Sequence, residues 1–259
     1  MTKNYSIEYH DEDTKLIIGN SVKILKNVPN ETFDLIIADP PYFLSNNGFS
    51  NSGGKRVSVN KGDWDKNDNP EAFYTEFLIQ ANRVLKNNGT LWIFGTMHNI
   101  YLLGYLLQKN NWKILNNITW QKTNPAPNLS RRMFTHSTET ILWAKKENGK
   151  QVFNYEILRE NNGGKQMKDV WMTSTTSSLE KKFGKHPTQK PLSLIKRIIT
   201  ASTKQNDIIL DPFLGSGTTA VAAKLLKRKC IGIDIESEYI NIAKKRIGNI
   251  LQAYEGKIN

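Results

Sequence analysis

A short apolar run that ends in two consecutive prolines limits the fold of this chain more than any other feature. Leu35-Ile36-Ile37-Ala38 is rich in β-branched residues and is flanked by Asp34 and Asp39, a pattern typical of a buried strand in a parallel sheet. The strand cannot extend further, because proline has no N–H to donate and disfavours the helical region for the residue before it. Asp39-Pro40-Pro41-Tyr42 is therefore predicted to form a stiff turn at the carboxyl end of the strand, where open α/β sheets place their ligand sites.

The chemistry of this turn suits one kind of ligand. The Asp39 carboxylate, the Pro40 carbonyl and the aromatic face of Tyr42 could together recognise a flat group with an exocyclic amine, such as the edge of a nucleobase. The alternative is structural, since Asp-Pro often starts a turn and a tyrosine after a strand often only packs. The tetrapeptide alone leaves both interpretations open.

Composition and charge favour a folded protein with a polyanionic partner. With 259 residues the chain can form one large α/β domain or two smaller ones. It carries 36 Lys and Arg against 24 Asp and Glu, a formal charge of +12, which favours a polyanionic partner, although excess lysine also aids solubility. The single cysteine, Cys230, excludes an intrachain disulfide framework and a multi-cysteine zinc site, and its apolar surroundings predict core packing.

No targeting or membrane segment is evident. The amino-terminal residues have no apolar leader, and no apolar run approaches the length of a membrane span. The sequence therefore predicts a soluble, cytoplasmic protein without a membrane partner.

Hydrophobic periodicity predicts alternating strands and helices along most of the chain. The predicted strands are 16–18, 33–38, 91–94, 112–120, 140–144, 208–211 and 230–234, and the predicted helices are 21–25, 71–86, 100–107 and 238–251. Asn87-Asn88-Gly89 is predicted to end the second helix. Asn20 lies where a strand gives way to a helix, and capping that helix is slightly preferred to a ligand contact as its role.

Three polar stretches interrupt this pattern. Residues 45–69 are predicted to form a long mobile loop beside the turn, in which Lys55 and Arg56 either close over a phosphate backbone or are solvated. The proline-containing stretch 122–132 carries Asn124, Arg131 and Arg132, which either contact nucleic acid or are solvated. Residues 145–185 are polar and basic, as expected of a recognition insert or of a plain linker.

A second anchor lies far downstream of the turn. Residues 208–220 read as a strand, a loop with Gly215 and Gly217 around Ser216, and the start of a helix, so the backbone could approach a ligand closely. A dinucleotide-binding motif would have a third glycine where this chain has Ala220, and the glycines alone therefore do not identify the ligand. Asp234 ends the next strand, about where a carboxylate that binds ribose hydroxyls belongs.

Three motifs in one order carry a family resemblance. Asp39-Pro40-Pro41-Tyr42, then His186-Pro187-Thr188-Gln189-Lys190-Pro191, then Asp211-Pro212-Phe213-Leu214-Gly215-Ser216-Gly217-Thr218-Thr219 resemble the amino-group DNA methyltransferases. The order, with the catalytic motif first and the cofactor motif last, resembles their β group. Residues 38–66 and 116–144 further resemble the DpnA-type adenine methyltransferases of GATC-specific restriction systems.

The resemblance implies a fold and a cofactor. The fold is an α/β, Rossmann-like S-adenosylmethionine-dependent methyltransferase sheet with helices on both faces and a small basic recognition insert. Residues 1–144 would form the catalytic half of the methyltransferase domain, 145–185 the target-recognition insert, and 186–259 the cofactor-binding half of the same domain. The implied contacts of S-adenosyl-L-methionine are Asn20, Asp39, Thr188, Gln189, Lys190, Asp211, Pro212, Phe213, Gly215, Ser216, Gly217, Thr218, Asp234 and Ile235.

Individual roles follow from the same resemblance. Asp234 would bind the ribose hydroxyls, Ile235 would lie against the adenine, and 188–190 would flank the methionine end. Many relatives have aspartate where this chain has Asn20, whose side-chain carbonyl accepts the adenine amino group more weakly than a carboxylate does.

The implied reaction is methyl transfer to N6 of an adenine that has left the duplex. The catalytic residues would be Asp39, Pro40, Pro41 and Tyr42, with Asp39 and the Pro40 carbonyl accepting the N6 hydrogens and Tyr42 stacking on the base; no metal is needed. The partner would be double-stranded DNA, with single strands and a homodimer left open, and a cognate restriction endonuclease would be a genetic partner. The alternatives are a cytosine-N4 methyltransferase, whose members typically have serine in place of Asp39, an RNA or protein-amide methyltransferase, and a non-catalytic DNA-binding protein.

Overall fold

The computed structural model describes residues 5–43, 49–52, 55–58 and 69–250, with the backbone alone in the two middle segments. The strands are β1 (Tyr5–His10), β2 (Thr14–Gly19), β3 (Phe33–Ala38), β4 (Phe49–Ser52), β5 (Lys55–Ser58), β6 (Leu85–Gly95), β7 (Trp112–Lys122), β8 (Thr138–Lys146), β9 (Val170–Thr173), β10 (Ile208–Asp211) and β11 (Lys229–Asp234). The helices are α1 (Ser21–Leu25), α2 (Pro70–Val84), α3 (Ile100–Lys109), α4 (Tyr155–Asn161), α5 (Leu192–Ser202), α6 (Thr218–Leu225) and α7 (Ser237–Gly248).

One mixed sheet organises the described residues. Its strand order is β1-β2-β11-β10-β3-β6-β8-β7-β9. The five neighbouring strands β2, β11, β10, β3 and β6 run parallel. The strand β1 is antiparallel to β2, β8 is antiparallel to both β6 and β7, and β9 is parallel to β7. A parallel centre with helical crossovers is an α/β architecture, which confirms the predicted fold class.

Both faces of the sheet are covered by helices. Side chains of α1, α2 and α3 belong to the core on one face, and those of α4 to α7 belong to the core on the other. β3 contributes to both cores, because Leu35 and Ile37 point to one face while Ile36 and Ala38 point to the opposite face. Burial on two faces explains why the run is apolar without alternation. Cys230 is buried in the core, as predicted.

Several boundaries differ from the prediction. α2 ends at Val84 rather than at residue 86, and Asn87-Asn88-Gly89 lies within β6 instead of ending the helix. The reason is tertiary, because Leu85 is already extended and pairs with Phe33 of β3. The strand β1 was not predicted either. The last helix spans 237–248, and residue 251 of the predicted helix lies outside the described residues.

The predicted loop 45–69 contains regular structure. β4 and β5 pair antiparallel as a separate two-stranded sheet. The sequence offered a signal for this hairpin, because Gly53-Gly54 stands between the two strands and such pairs are typical of tight hairpin turns. Residues 45–48, 53–54 and 59–68 of that loop lie outside the described residues.

The topology creates a crevice between β3 and β10. These strands are parallel neighbours, with Leu35 opposite Ile209. The chain leaves β10 through α6 toward β11 on one side, and leaves β3 through α2 toward β6 on the other. Ligands of open α/β sheets bind at such a switch point, beside the carboxyl ends of the strands. Asp39 and Asp211 stand at those two ends.

In the part of the chain that the structure describes, no helix has both the length and the apolar character needed to span a bilayer.

Candidate active site

An open cleft lies above the switch point. It is lined by Gly19, Asn20, Ser21, Asp39, Pro40, Pro41, Tyr42, Phe73, His186, Thr188, Pro212, Phe213, Asp234, Ile235 and Tyr239. A second, smaller cavity adjoins it and includes Lys190, Asp211 and residues 214–216 in its lining. The tertiary structure thus brings residues from all three sequence motifs to one place.

The Asp39 turn is held by hydrogen bonds to side chains. The Tyr42 hydroxyl donates to Asp39 Oδ1 at 2.7 Å, and Lys190 Nζ donates to Asp39 Oδ2 at 2.6 Å. The Tyr74 hydroxyl of α2 donates to the Pro41 carbonyl at 2.7 Å. Tyr42 is only 9% exposed, and burial together with the Asp39 charge raises the pKa of its hydroxyl well above the usual value. Tyr42 therefore stays protonated and remains a donor to Asp39 at neutral pH.

A buried chain of charges continues from this turn. Lys190 Nζ lies 3.5 Å from Glu139 Oε2, and Lys122 Nζ lies 2.7 Å from Glu139 Oε1. Burial alone lowers the pKa of Lys190, but the charges of Asp39 and Glu139 outweigh it and the pKa is raised. Burial likewise raises the pKa of Glu139, but Lys190 and Lys122 outweigh it and the pKa is lowered. Lys190 and Glu139 therefore remain charged at neutral pH.

The glycine loop packs tightly against α7. Gly217 has φ +81°, and a Cβ at this position would lie 2.5 Å from the Ala243 Cβ. Arg246, 2% exposed, donates from Nη1 to the Ser216 carbonyl at 2.8 Å and to the Thr218 hydroxyl at 3.0 Å. Sequence reasoning did not find Arg246, because a basic residue near the end of a helix ordinarily points to solvent.

The end of β11 presents a carboxylate next to an apolar surface. Asp234 Oδ2 accepts from the Gly215 N–H at 2.7 Å, and Oδ1 accepts from the Glu236 N–H at 2.9 Å. Burial raises the pKa of Asp234 to about 6 and that of Asp211 to about 7. Ile235 is 52% exposed along the cleft. An acceptor carboxylate beside an exposed aliphatic side chain fits the ribose and base of a nucleoside.

The remaining residues assigned to the cofactor lie in or near the cleft. Asn20 accepts from the Lys23 N–H at 3.0 Å, which confirms the predicted helix cap, and it also lines the cleft. Gln189 lines the adjoining cavity, but its amide donates to the Glu180 carbonyl. His186, which was not assigned a role, lines the cleft and packs edge-on against Tyr239 at 4.2 Å between ring centroids.

The β7–β8 loop projects from the same edge of the sheet as Asp39, because β8 is antiparallel to both β6 and β7. Asn124 accepts from the Thr175 N–H at 2.8 Å, which ties the loop to the segment after β9. Arg131 and Arg132 are exposed. Phe134, which sequence reasoning missed, is 95% exposed beside them.

The other predicted DNA contacts and the predicted recognition insert belong to further elements. Lys55 and Arg56 belong to β5, and their side chains lie outside the described residues. The segment 145–185 supplies α4 and β9, the latter as the edge strand of the central sheet.

The fold and the site together define a class of protein. Its members are doubly wound α/β proteins that bind a nucleotide-like ligand at the switch point of the sheet. In this chain, the ligand site lies beside the carboxylate of Asp39 on a Pro-Pro turn. The sequence matches the profile of the DNA methylase family (N6_N4_Mtase) over residues 33–245. The chain therefore belongs to that family, and the resemblance drawn from the three motifs is confirmed.

Named relatives extend this match over nearly the whole chain. The type II methyltransferase M2.LlaDCHI of Lactococcus lactis subsp. cremoris is 59% identical over 252 residues, which cover 95% of this chain and 93% of that protein. The type II methyltransferase M2.DpnII of Streptococcus pneumoniae is 57% identical with the same coverage. The crystal structure of the M1.HpyAVI–SAM complex superposes with a TM-score of 0.69 at 31% identity, covering 90% of this chain and 98% of that chain.

Proposed function

We propose that this protein transfers the methyl group of S-adenosyl-L-methionine to N6 of adenine in DNA, at GATC, as the modification enzyme of a restriction-modification system. The observation that carries the proposal is the position of Asp39, whose carboxylate lines the same cleft as Asp234 and Ile235. Type II methyltransferases at 59% and 57% identity support the DNA substrate. The choice of GATC rests on the resemblance of residues 38–66 and 116–144.

The cleft suits the cofactor. Asp234 would accept hydrogen bonds from the ribose hydroxyls, and Ile235 would pack against the adenine. The Gly215–Gly217 loop lets the backbone approach the ligand closely. When bound, S-adenosyl-L-methionine supplies an electrophilic methyl group on a positively charged sulfur.

The residues of the turn would act on the amino group of the base. Asp39 and the Pro40 carbonyl accept the two N6 hydrogens, so that the nitrogen lone pair is directed at the methyl carbon. As the N–C bond forms, the bond between the methyl carbon and the cofactor sulfur would break, with its electron pair kept by sulfur. N6 would then carry one proton too many, and Asp39, its proposed hydrogen-bond partner, would be placed to receive that proton. Positioning of the two reacting atoms provides most of the rate gain.

The division of labour along the chain belongs to the same proposal. Residues 1–144 form the catalytic half, 186–259 the cofactor half, and 145–185 contribute to target recognition. Lys55, Arg56, Asn124, Arg131 and Arg132 are the proposed DNA contacts, supported for the last two by their exposure at the catalytic edge of the sheet.

Transfer of labelled methyl from S-adenosyl-L-methionine to a GATC duplex, followed by digestion to nucleosides, tests the proposal. Label in N6-methyladenine is expected, and a duplex with a scrambled site should remain unlabelled. Label in N4-methylcytosine would favour the cytosine alternative. No label on double- or single-stranded DNA, with cofactor binding intact, would favour an RNA or protein substrate.

Cofactor binding is expected to weaken as the pH falls through 6. The pKa of Asp234 is raised to about 6 in the folded protein, so below this pH the carboxylate is neutral and is a poorer acceptor for the ribose hydroxyls. Replacement of a charged by a neutral acceptor should weaken binding about tenfold to a hundredfold. Calorimetric titrations between pH 5 and 8 would measure this change.

The variants Asp234→Asn and Asp169→Asn complete the pH experiment. Asp234→Asn should bind the cofactor weakly at all pH values and lose the dependence near pH 6. The exposed Asp169 is the site of the control variant, which should behave like the unmodified protein. A step in cofactor affinity retained near pH 6 in Asp234→Asn would contradict the assignment, whereas a step near pH 7 would belong to Asp211.

The same carboxyl group also links folding stability to pH. Between about pH 4 and 6, Asp234 holds a proton in the folded protein but not in the unfolded chain, so stability without cofactor should fall as the pH rises through this range.

Phe134→Ala is expected to slow methylation of duplex DNA about tenfold. The phenyl ring of Phe134 is 95% exposed and follows two arginines in the sequence, so it can enter the base stack and fill the space left by the flipped base. A duplex whose target adenine lies opposite an abasic site should restore the rate, since that base is already unpaired. Initial rates on both duplexes measure the effect. Ile7→Ala, an exposed apolar residue on β1, is the control. Equal slowing on both duplexes would exclude this role.

A further inference from the structure

One buried ammonium lies between two carboxylates in this site. Lys190 Nζ is 2.6 Å from Asp39 Oδ2 and 3.5 Å from Glu139 Oε2, and Lys190 is 7% exposed. Asp39 Oδ1 already accepts from Tyr42. Each oxygen of Asp39 therefore already has one donor, and an ammonium at 2.6 Å draws charge from Oδ2 and weakens it as an acceptor for a hydrogen of the target amino group.

Glu139 offers the place to which Lys190 can move. Its Oε1 pairs with Lys122 at 2.7 Å, but its Oε2 is buried and makes no hydrogen bond among the described residues. Leaving a buried carboxylate oxygen without a hydrogen bond is costly, and such atoms are rare in native proteins. A shift of Lys190 by about 1 Å would bring its Nζ to ordinary charge-assisted hydrogen-bond distance from that oxygen.

We propose that Lys190 acts as a switch between these two carboxylates and that Glu139 is the positioning residue that makes the switch work. While no base is bound, the Lys190 ammonium donates its hydrogen bond to Asp39 Oδ2. When the base enters, the ammonium moves to Glu139 Oε2, and Asp39 Oδ2 becomes available to the amino group of the base. The inference rests on the proposed function, since it assigns Asp39 to the target amine.

The surroundings of Lys190 favour a movement of this kind. The charged and titratable groups that face its ammonium are Asp39, Tyr42 and Glu139, with Lys122 behind Glu139. Lys190 keeps a carboxylate partner in both positions, so no buried charge is left unpaired. Phe94 flanks the ammonium at 5.2 Å from its ring centroid and brings no competing charge.

The test is Glu139→Gln, which keeps the shape of the side chain and removes its charge. Lys190 should then remain on Asp39, and kcat should fall at least about tenfold while cofactor affinity is unchanged. Without the Glu139 charge the pKa of Lys190 falls, because that charge helps to raise it. The Asp39 charge, which raises that pKa more than the Glu139 charge does, is still present, so the loss of kcat should persist as the pH rises.

A double-mutant cycle distinguishes the switch from a structural role. In a Lys190→Met background, Glu139→Gln should cause no further loss of kcat, because the group that Glu139 receives is absent. Glu31→Gln, an exposed carboxylate 3.4 Å from Lys146, is the matched control. If Glu139→Gln does not fold, Glu139→Asp is the second variant. Its shorter side chain keeps the charge but places the carboxylate oxygen farther from Lys190, so kcat should also fall.

Two results would overturn the switch: an unchanged kcat in Glu139→Gln, or an equal loss of kcat when Glu139→Gln is made in the Lys190→Met background. Each can occur while the unmodified protein still produces N6-methyladenine. Failure of the switch is thus separate from failure of the proposed function, in which the unmodified protein itself would leave DNA unlabelled.

Discussion

Asp39→Ala is expected to lower kcat on a GATC duplex by at least about a hundredfold, the usual loss when one preorganised electrostatic partner of the transition state is removed. The variant lacks the carboxylate that would accept an N6 hydrogen. Cofactor binding should weaken less than kcat falls, because Asp39 is only one of the proposed contacts and the ribose and base contacts, Asp234 and Ile235, are unaltered. Label incorporated into N6-methyladenine per unit time is the measurement.

Two further substitutions refine this experiment. Asp39→Asn keeps the shape and one carbonyl acceptor but not the charge, so its loss should be intermediate. Asp169→Ala removes an exposed carboxylate and should be silent. Near-normal turnover in a folded Asp39→Ala protein would show that Asp39 does not act on the substrate.

Gly217→Ala is expected to lower the free energy of unfolding by about 2 to 4 kcal/mol. Two costs combine, because φ is +81° and the new methyl group would lie 2.5 Å from the Ala243 Cβ. Left-handed backbone strain and overpacking of a filled core each cost roughly 1 to 3 kcal/mol, and partial relaxation keeps the total below the sum of the maxima. Urea unfolding monitored by circular dichroism would measure the change.

Two other glycines separate these costs. Gly164 has φ +79° with no atom within 4 Å of an added Cβ, so Gly164→Ala should show the strain alone. Gly248, at the end of α7, has neither a positive φ nor a close neighbour, so Gly248→Ala should be neutral or slightly stabilising. If all three variants were equally stable, close packing of the glycine loop against α7 would not matter for stability.

The sequence by itself determined the fold class and the position of the three motifs. A strand buried on both faces has a continuous apolar run, and two prolines must end it; both features are local, so Leu35–Ala38 and the turn after it were predictable. The cap at Asn20 and the burial of Cys230 were predictable for the same reason. The prediction that residues from all three motifs line one cleft followed from the family resemblance.

Boundaries were less predictable where neighbouring strands decide them. Periodicity carried α2 to residue 86, but pairing of Leu85 with Phe33 ends the helix at Val84. β1 was missed because its burial alternates poorly along the edge of the sheet. The hairpin of β4 and β5 was missed because its polar composition is that of a loop.

Only the tertiary structure decided which charges share the site. Lys190 pairs with Asp39 across 151 positions of the chain, and Glu139 and Lys122 join them from β8 and from the end of β7. Arg246 reaches back to the loop at Ser216 in the same way. Local patterns report helical or strand periodicity and turn chemistry, whereas the partner of a buried charge depends on which strands become neighbours. That order is set by packing of the whole sheet, and no single stretch of sequence contains it.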